Sequence, residues 1–588
     1  MIINGFQEKG LDKKTVRKLL SYLKPYKLLL SFTVFLLLLT AGLEILGPYL
    51  IKVAIDNYIA PGRLDGFIYI VFLFGAVILA EFAFRYFQQY LTELLGQKIM
   101  YDMRMDIFTH IHKMPMSFFD RNPVGKIMTR VTTDVQTLNE MLSSGIVTLF
   151  GDIFMIVGIM VIMVTLNLKL ALITFSVLIL LAIATFIFRA KVRVTFRIIR
   201  TKISAINSYL QEAVSGINTI KIFAREDRSN QEFESLNTGY LNAYLKTVFY
   251  YAVFFPIVTL ISSLAIALII WYGGGQVISG ILTFGTLVAF IQYIEKFFHP
   301  ISDLSEKFGI LQEAIAASER IFKVLDTKPT ITSPENPVIV EEVKGDIRFD
   351  HVWFSYHQNE YVLKDINFEL ESSQSIAFVG ATGSGKTSII NILNRFYEIQ
   401  KGHIFLDGID IRKYELNHLR KHIGIVMQDV FLFSGTILDN IRLGDSSISK
   451  QQVIEAARYV NAHKFIQKLP LKYDQEIKER GKILSVGQRQ LIAFARAIVF
   501  NPQVLLVLDE ATSSIDSEIE ALIQDALNKV MAGRTTIIIA HRLSTIKNVD
   551  KILVLSHGKI IEKGTHSSLL KARGIYYKLY KYQYQLQT

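Results

Sequence analysis

Long apolar runs crowd the first half of the chain and stop near residue 295. A helix needs about 20 apolar residues to cross roughly 30 Å of hydrocarbon. Six segments approach or exceed that length: Leu28–Ile51, Phe67–Tyr86, Ser144–Leu166, Leu170–Phe188, Thr247–Tyr272 and Gln276–Ile294. The last two form one uncharged stretch, too long for a single crossing, and Gly273-Gly274-Gly275 is where a tight turn would divide it into a hairpin. From about 96 to 140 and from 189 to 246 the sequence turns polar without losing its helical period. Spans two to five are therefore predicted to continue as helices beyond the bilayer.

A helical stretch from Glu295 to Asp326 gives way to Lys328-Pro329-Thr330-Ile331-Thr332-Ser333-Pro334-Glu335-Asn336-Pro337, a linker composition. Beyond Gly345 short apolar strands alternate with helical patterns, as at Ser375–Val379, Ile423–Met427, Val504–Leu508 and Thr535–Ile539. That alternation predicts an α/β domain. The expected organisation is an α-helical membrane domain over 1–326, opening with a short helix before the first span, a linker over 327–344, and an α/β P-loop domain over 345–588.

Composition agrees with a membrane protein: 51% of residues are hydrophobic and only 20% charged, with a mean hydropathy of +0.33. The formal charge of +12 would suit a nucleic-acid partner, but its distribution argues otherwise. Lys13, Lys14, Arg17, Lys18, Lys24 and Lys27 precede the first span, Lys98, Arg104, Lys113, Arg121, Lys126 and Arg130 follow the second, and Arg189, Lys191, Arg193, Arg197, Arg200 and Lys202 follow the fourth. Basic loops mark the cytoplasmic side, so both termini and the α/β domain are expected in the cytoplasm of a multi-pass inner-membrane protein, and no nucleic acid is needed. The absence of cysteine excludes disulfides, thiol catalysis and cysteine-ligated metals.

Gly380-Ala381-Thr382-Gly383-Ser384-Gly385-Lys386-Thr387 follows an apolar strand and precedes the helical pattern that begins at Ser388. In that context G-x-x-x-x-G-K-[ST] is a P-loop: backbone N–H groups cradle phosphates, Lys386 reaches the β- and γ-phosphates, and Thr387 can ligate Mg²⁺. The run Val504–Leu508 suits a strand buried on both faces and ends in Asp509-Glu510. Ligands of open α/β sheets bind at the carboxyl ends of the strands. Asp509 is thereby expected near the Mg²⁺, through water, and Glu510 near the γ-phosphate, where it can polarise an attacking water.

Leu484-Ser485-Val486-Gly487-Gln488 then precedes a helical pattern ahead of the Asp509 strand. Here the chain resembles the ATP-binding cassette (ABC) transporters, whose signature motif this pentapeptide matches. The resemblance implies further roles: Tyr356 stacks adenine, Gln428 forms the Q-loop and contributes to the Mg²⁺ site, Asp516 belongs to the D-loop, and His541 is the switch histidine. Residues Gly380 to Ser388 bind ATP, with Lys386, Gln428, Glu510 and His541 assisting hydrolysis. Phe118-Phe119-Asp120-Arg121-Asn122-Pro123-Val124-Gly125 and Gly216-Ile217-Asn218-Thr219-Ile220-Lys221 resemble the two intracellular coupling segments of the exporter branch.

The chain carries one P-loop and one signature, the format of a half-transporter. The resemblance implies a dimer in which each ATP lies between the P-loop of one subunit and the signature of the other. Val486 stands where the family signature has Gly. A Val lacks the backbone freedom of Gly and adds bulk at the closing surface. With Glu510 kept and the signature altered, the expected partner is a distinct half-transporter with a normal signature and a replaced catalytic carboxylate. A homodimer in which Val486 is tolerated is the alternative; an ATP-gated channel is a more distant one.

Glu44 in the first span, and Glu81 with Arg85 in the second, are charges within the bilayer, where each costs about 2.5–3.5 kcal/mol. At i, i+4 spacing Glu81 and Arg85 can neutralise one another, or all three residues can line a polar cavity. The aromatic group Phe249, Tyr250, Tyr251, Phe254 and Phe255 suits an apolar or amphipathic substrate and lipid packing equally.

Overall fold

The computed structural model describes residues 13–357, 360–427, 429–478, 481, 483–509, 517–540 and 546–585. They form two compact units: one comprises residues up to 112 and 125–327, the other residues 113–124 and 328 onward.

The first unit is helical. A short helix, α1 (Lys13–Leu23), leads into α2 (Lys27–Ala54), which continues as a π-helical turn over Ile55–Ile59. There follow α3 (Phe67–His112), α4 (Met116–Arg121, which belongs to the second unit), α5 (Val124–Val131), α6 (Thr133–Glu140), α7 (Thr148–Leu166), α8 (Leu168–Ser215), α9 (Ile217–Ile222), α10 (Glu226–Leu268), α11 (Gly274–Ile278) and α12 (Phe284–Leu325). Among the described residues, five helical stretches are long and apolar enough to cross a membrane; of the sixth predicted span, Gln276–Ile294, the part from Phe284 onward lies in α12 and its first residues lie in α11. At 1.5 Å per residue, α3 and α8 reach about 70 Å, more than twice the hydrocarbon thickness. The polar stretches do continue the spans as helix.

One boundary differs from the sequence reading. Gly273, Gly274 and Gly275 do not turn the chain: they lie within continuous helix, formed by a π-helical turn over Ile269–Gly273 and then α11. The reversal comes at Gly280, with φ +75°, followed by Thr283, whose hydroxyl accepts the N–H of Thr286 and caps α12. Gly273 serves packing instead, since a Cβ there would sit 2.7 Å from Leu287 and 3.4 Å from Leu170. Ala265, Ile269, Phe290 and Tyr293 are fully buried in the same core, and the Tyr293 hydroxyl donates to the carbonyl of Ile45 on α2 at 2.9 Å.

The second unit holds two larger sheets and a two-stranded antiparallel pair, β7 (Gly435–Thr436) with β8 (Glu476–Ile477). An antiparallel one runs β2–β1–β4–β5, with β1 (Ile347–Phe354), β2 (Leu363–Leu370), β4 (Lys401–Leu406) and β5 (Ile409–Asp410). The other runs β12–β11–β3–β10–β9–β6, with β3 (Ser375–Val379), β6 (Ile423–Val426), β9 (Val504–Asp509), β10 (Thr535–Ala540), β11 (Lys551–Ser556) and β12 (Lys559–Gly564). All its pairings are parallel except β11 with β12. Along β3, Ile376 and Phe378 enter one apolar core while Ala377 and Val379 enter another. The strand is buried on both faces, so it reads as an unbroken apolar run rather than an alternation. Between these strands the chain forms helices that include α13 (Lys386–Leu393), α14 (Leu416–His422), α15 (Ile437–Arg442), α16 (Lys450–Tyr459), α17 (Ala462–Ile466), α18 (Val486–Phe500) and α19 (Ser517–Met531).

Candidate nucleotide site

The P-loop joins β3 to α13. Its glycines are required by contact and conformation. A Cβ on Gly380 would lie 2.2 Å from the carbonyl oxygen of Leu555, and Gly385 has φ +104° with Leu363 2.7 Å from its Cβ position. Lys386 is buried and donates to the carbonyls of Gly380 (2.7 Å) and Ala381 (3.1 Å), so the ammonium is folded against the loop's own backbone. Thr387 is exposed, as are Ala381, Thr382 and Gly383. Ser384 Oγ is buried with no hydrogen-bond partner among the described residues. An orphaned hydroxyl costs about 1–3 kcal/mol; within a cationic, glycine-shaped loop it fits a phosphate-bearing ligand.

Tyr356 stands beside this loop. Its hydroxyl lies 3.1 Å from Ser388 Oγ and accepts Asn391 Nδ2–H at 3.1 Å, both residues being on α13. Its ring packs at right angles against Phe354 (4.7 Å) and Tyr397 (5.0 Å). Strand order puts β9 beside β10 and β10 beside β3, with Asp509 opposite Ala540 and Ile539 opposite Phe378. The end of β9 that carries Asp509 is thus at the same edge of the sheet as the P-loop. Gln428, Glu510, Asp516 and His541 lie outside the described residues.

The signature stands on a separate element. Ser485 caps α18 in a reciprocal capping box: its hydroxyl accepts the N–H of Gln488 (3.2 Å), and Gln488 Oε1 accepts the N–H of Ser485 (3.0 Å). Leu484 is buried in the apolar core. Gly487 is buried as well, and a Cβ there would lie 2.4 Å from Ile519 on α19. Val486 is the first residue of α18 and is absent from the positive-φ positions. Val486 thus has a helical backbone, and its side chain is partly exposed.

In the helical unit, Arg85 Nη2 contacts both Glu81 (2.8 Å) and Glu44 (3.1 Å), and Lys296 on α12 lies 3.7 Å from Glu44. The i, i+4 pair is formed, and it is joined to two further helices. Lys296 was missed in the sequence because it lies just past the last apolar run, and its partner is some 250 positions away. Asp152 pairs with Lys307 in the same way.

Residues 30–301 match the ABC transporter transmembrane region and residues 363–513 match the ABC transporter model. An uncharacterized ABC transporter ATP-binding protein of Bacillus subtilis, YknV, is 37% identical over 582 residues, covering 98% of this chain and 96% of the relative. An ATP-dependent lipid A-core flippase of Syntrophus aciditrophicus is 35% identical over 569 residues, 97% and 94% of the two chains. A putative multidrug export ATP-binding/permease protein of Staphylococcus aureus is 36% identical over 576 residues, 97% and 100%.

Proposed function

Because the chain belongs to the ABC transporters, as a half-transporter with an ATP-hydrolysing domain coupled to transport, we propose that it exports or flips an apolar or amphipathic substrate across the cytoplasmic membrane by alternating access. The observation that carries this is the occurrence, once each on a single chain, of a P-loop with buried Lys386 and orphaned Ser384 and of a capped signature helix. Each supplies half of an ATP site, so two subunits are needed for a complete one. Related proteins named as drug exporters and a lipid flippase support the substrate class.

In the assembled dimer Lys386 turns from the carbonyls of Gly380 and Ala381 to the β- and γ-phosphates. Ser384 Oγ gains a partner, and Tyr356 offers its ring to adenine. Ser485 and the α18 N-terminus meet the γ-phosphate bound by the other subunit. Thr387, Gln428 and, through water, Asp509 would hold Mg²⁺, which neutralises phosphate charge when bound. Glu510 polarises the attacking water, and His541 assists hydrolysis. The nucleotide-binding unit faces the cytoplasm.

We further propose a heterodimer, in which this subunit keeps Glu510 while Val486 weakens the composite site it completes for its partner. Since residue 486 is helical, the impairment rests on bulk alone. Glu44, Glu81 and Arg85, together with Lys296, line the polar part of the transport path, because a charged side chain facing lipid costs about 2.5–3.5 kcal/mol. The deciding experiment is ATP hydrolysis by the detergent-purified chain, alone and co-expressed with its genomic neighbour, each with and without Glu510→Gln. Turnover only with the neighbour, abolished by Glu510→Gln, supports the heterodimer. Vigorous turnover by the chain alone as a stable dimer refutes it.

A further inference from the structure

Tyr397 lies just past α13, in the turn that leads to β4, and it makes two contacts of different kinds. Its ring packs edge-on against Tyr356, with centroids 5.0 Å apart and planes at 87°, and Phe354 closes the same aromatic group 6.0 Å away. Its hydroxyl donates to Asp120 Oδ2 at 2.5 Å. Asp120 is on α4, within the first coupling segment. That segment, residues 113–124, is compact with the nucleotide-binding unit, while the residues that flank it in the chain, His112 at the end of α3 and Gly125, belong to the helical unit.

We propose that Tyr397 is a positioning residue that reports nucleotide occupancy at Tyr356 to the first coupling segment through its bond to Asp120. This rests on the reading that Tyr356 takes the adenine. Tyr356 is tied by its hydroxyl to Ser388 and Asn391 of α13, so its ring has little freedom to absorb a ligand by swinging away. Close-packed rings transmit displacement rather than dissipate it, and Tyr397 is the neighbour whose far end reaches α4. Burial and the Asp120 carboxylate both push the Tyr397 phenol upward, which keeps its proton in place as the donor. A hydrogen bond to an ionised acceptor is stronger than a neutral one and suits a tie that must pull.

The absence of native cysteine permits a clean test. Val124, exposed at the end of the coupling segment, is changed to Cys in the full-length chain, labelled with an environment-sensitive fluorophore and placed in lipid nanodiscs. The emission change is measured on adding ATP in EDTA, so that binding is seen without hydrolysis. Affinity is measured separately with trinitrophenyl-ATP. Tyr397→Phe keeps the ring and removes only the hydroxyl. It is expected to leave nucleotide affinity within twofold while cutting the emission change at least threefold. Asp120→Ala should do the same, and Asp120→Asn, which keeps an acceptor, should retain more than half of the change. A full emission change in Tyr397→Phe, or equal losses in Asp120→Ala and Asp120→Asn, overturns the proposal. Tyr356→Ala tests the underlying reading alone: unaltered nucleotide affinity there sinks the adenine assignment, whatever Tyr397 does.

Discussion

Asp134 and Arg320 form a two-point clasp between α6 and α12: Nη2 of Arg320 lies 2.6 Å from Oδ1 and Nε lies 3.0 Å from Oδ2. The carboxylate is buried, while the guanidinium is half exposed. Removing the fork leaves a buried acceptor that water reaches poorly. Arg320→Ala is therefore expected to destabilise the helical unit by about 1–3 kcal/mol, read as a lowered melting temperature in detergent. Arg320→Lys should recover only part of the loss, because an ammonium cannot span both oxygens. Equal melting temperatures for wild type and Arg320→Ala would show that the clasp contributes nothing.

Asp56 holds α12 to α2 at the opposite end of the bundle. It accepts the N–H of Gly285 (2.8 Å) and the hydroxyl of Thr283 (2.7 Å), with Lys52 3.3 Å away. A Cβ on Gly285 would lie 2.5 Å from the carbonyl of Lys52, a backbone atom that cannot move aside cheaply. Gly285→Ala is expected to lower thermal stability, whereas Gly274→Ala, helical and with nothing within 4 Å of its Cβ position, should leave it unchanged or raise it by up to about 1 kcal/mol. If the two substitutions behave alike, the close approach of α2 and α12 is not what selects glycine.

In the signature, Gly487 and Val486 should differ in how much a substitution costs. Gly487→Ala forces α18 away from Ile519 and is expected to cost about 1–3 kcal/mol as an overpacked core. Val486→Gly changes one partly exposed first-turn residue and should move stability by less than about 1 kcal/mol. Chemical denaturation followed by tryptophan-independent far-ultraviolet circular dichroism checks both; a larger loss for Val486→Gly than for Gly487→Ala contradicts the packing described.

Lys386 is the residue whose loss should matter most to chemistry. Replacing it with Ala is expected to reduce ATP hydrolysis by at least about a hundredfold, the usual consequence of removing one donor from a developing anion. Turnover within tenfold of wild type in the assembled transporter would exclude the phosphate role.

Asp410 makes part of the stability acid-sensitive. Burial alone would push its carboxyl up, but bonds from Arg412 (2.5 Å) and His403 (2.8 Å) outweigh it and bring the group down to about 2. A depressed carboxyl contributes stability that is present above its unfolded value, near 3.8, and is lost as pH falls through the folded value. The nucleotide-binding unit should lose roughly 2 kcal/mol between about pH 4 and pH 2 from this group. Asp410→Asn should be less stable at neutral pH and flatter over that window; an unchanged slope would assign the acid sensitivity elsewhere.

Much of the architecture was legible because the signals are local. Apolar runs of bilayer length, a P-loop between strand and helix, and an apolar strand ending in Asp509 each lie within a few turns of chain, where periodicity and spacing operate. The hairpin turn was misplaced because the glycine triplet Gly273–Gly275 and the single Gly280 look alike in one dimension. Only the packing of Gly273 on Leu287 and Leu170 distinguishes a glycine that admits a neighbour from one that turns the chain. Val486 shows the same limit: its helical backbone depends on where Ser485 starts α18, not on the identity of the residue.

By itself the sequence determined the two-part organisation, the apolar helices, the parallel sheet and the family's nucleotide motifs. Each follows from hydrophobic burial over a short stretch or from a ligand-binding loop that must be contiguous. Tertiary structure decided which charges meet. Glu44 with Arg85 and Lys296, Asp134 with Arg320, Asp152 with Lys307, and Asp120 with Tyr397 join residues from 41 to more than 270 positions apart. A charge or hydroxyl finds its partner by proximity in space, and proximity across helices is set by how their apolar faces pack, which no single segment encodes.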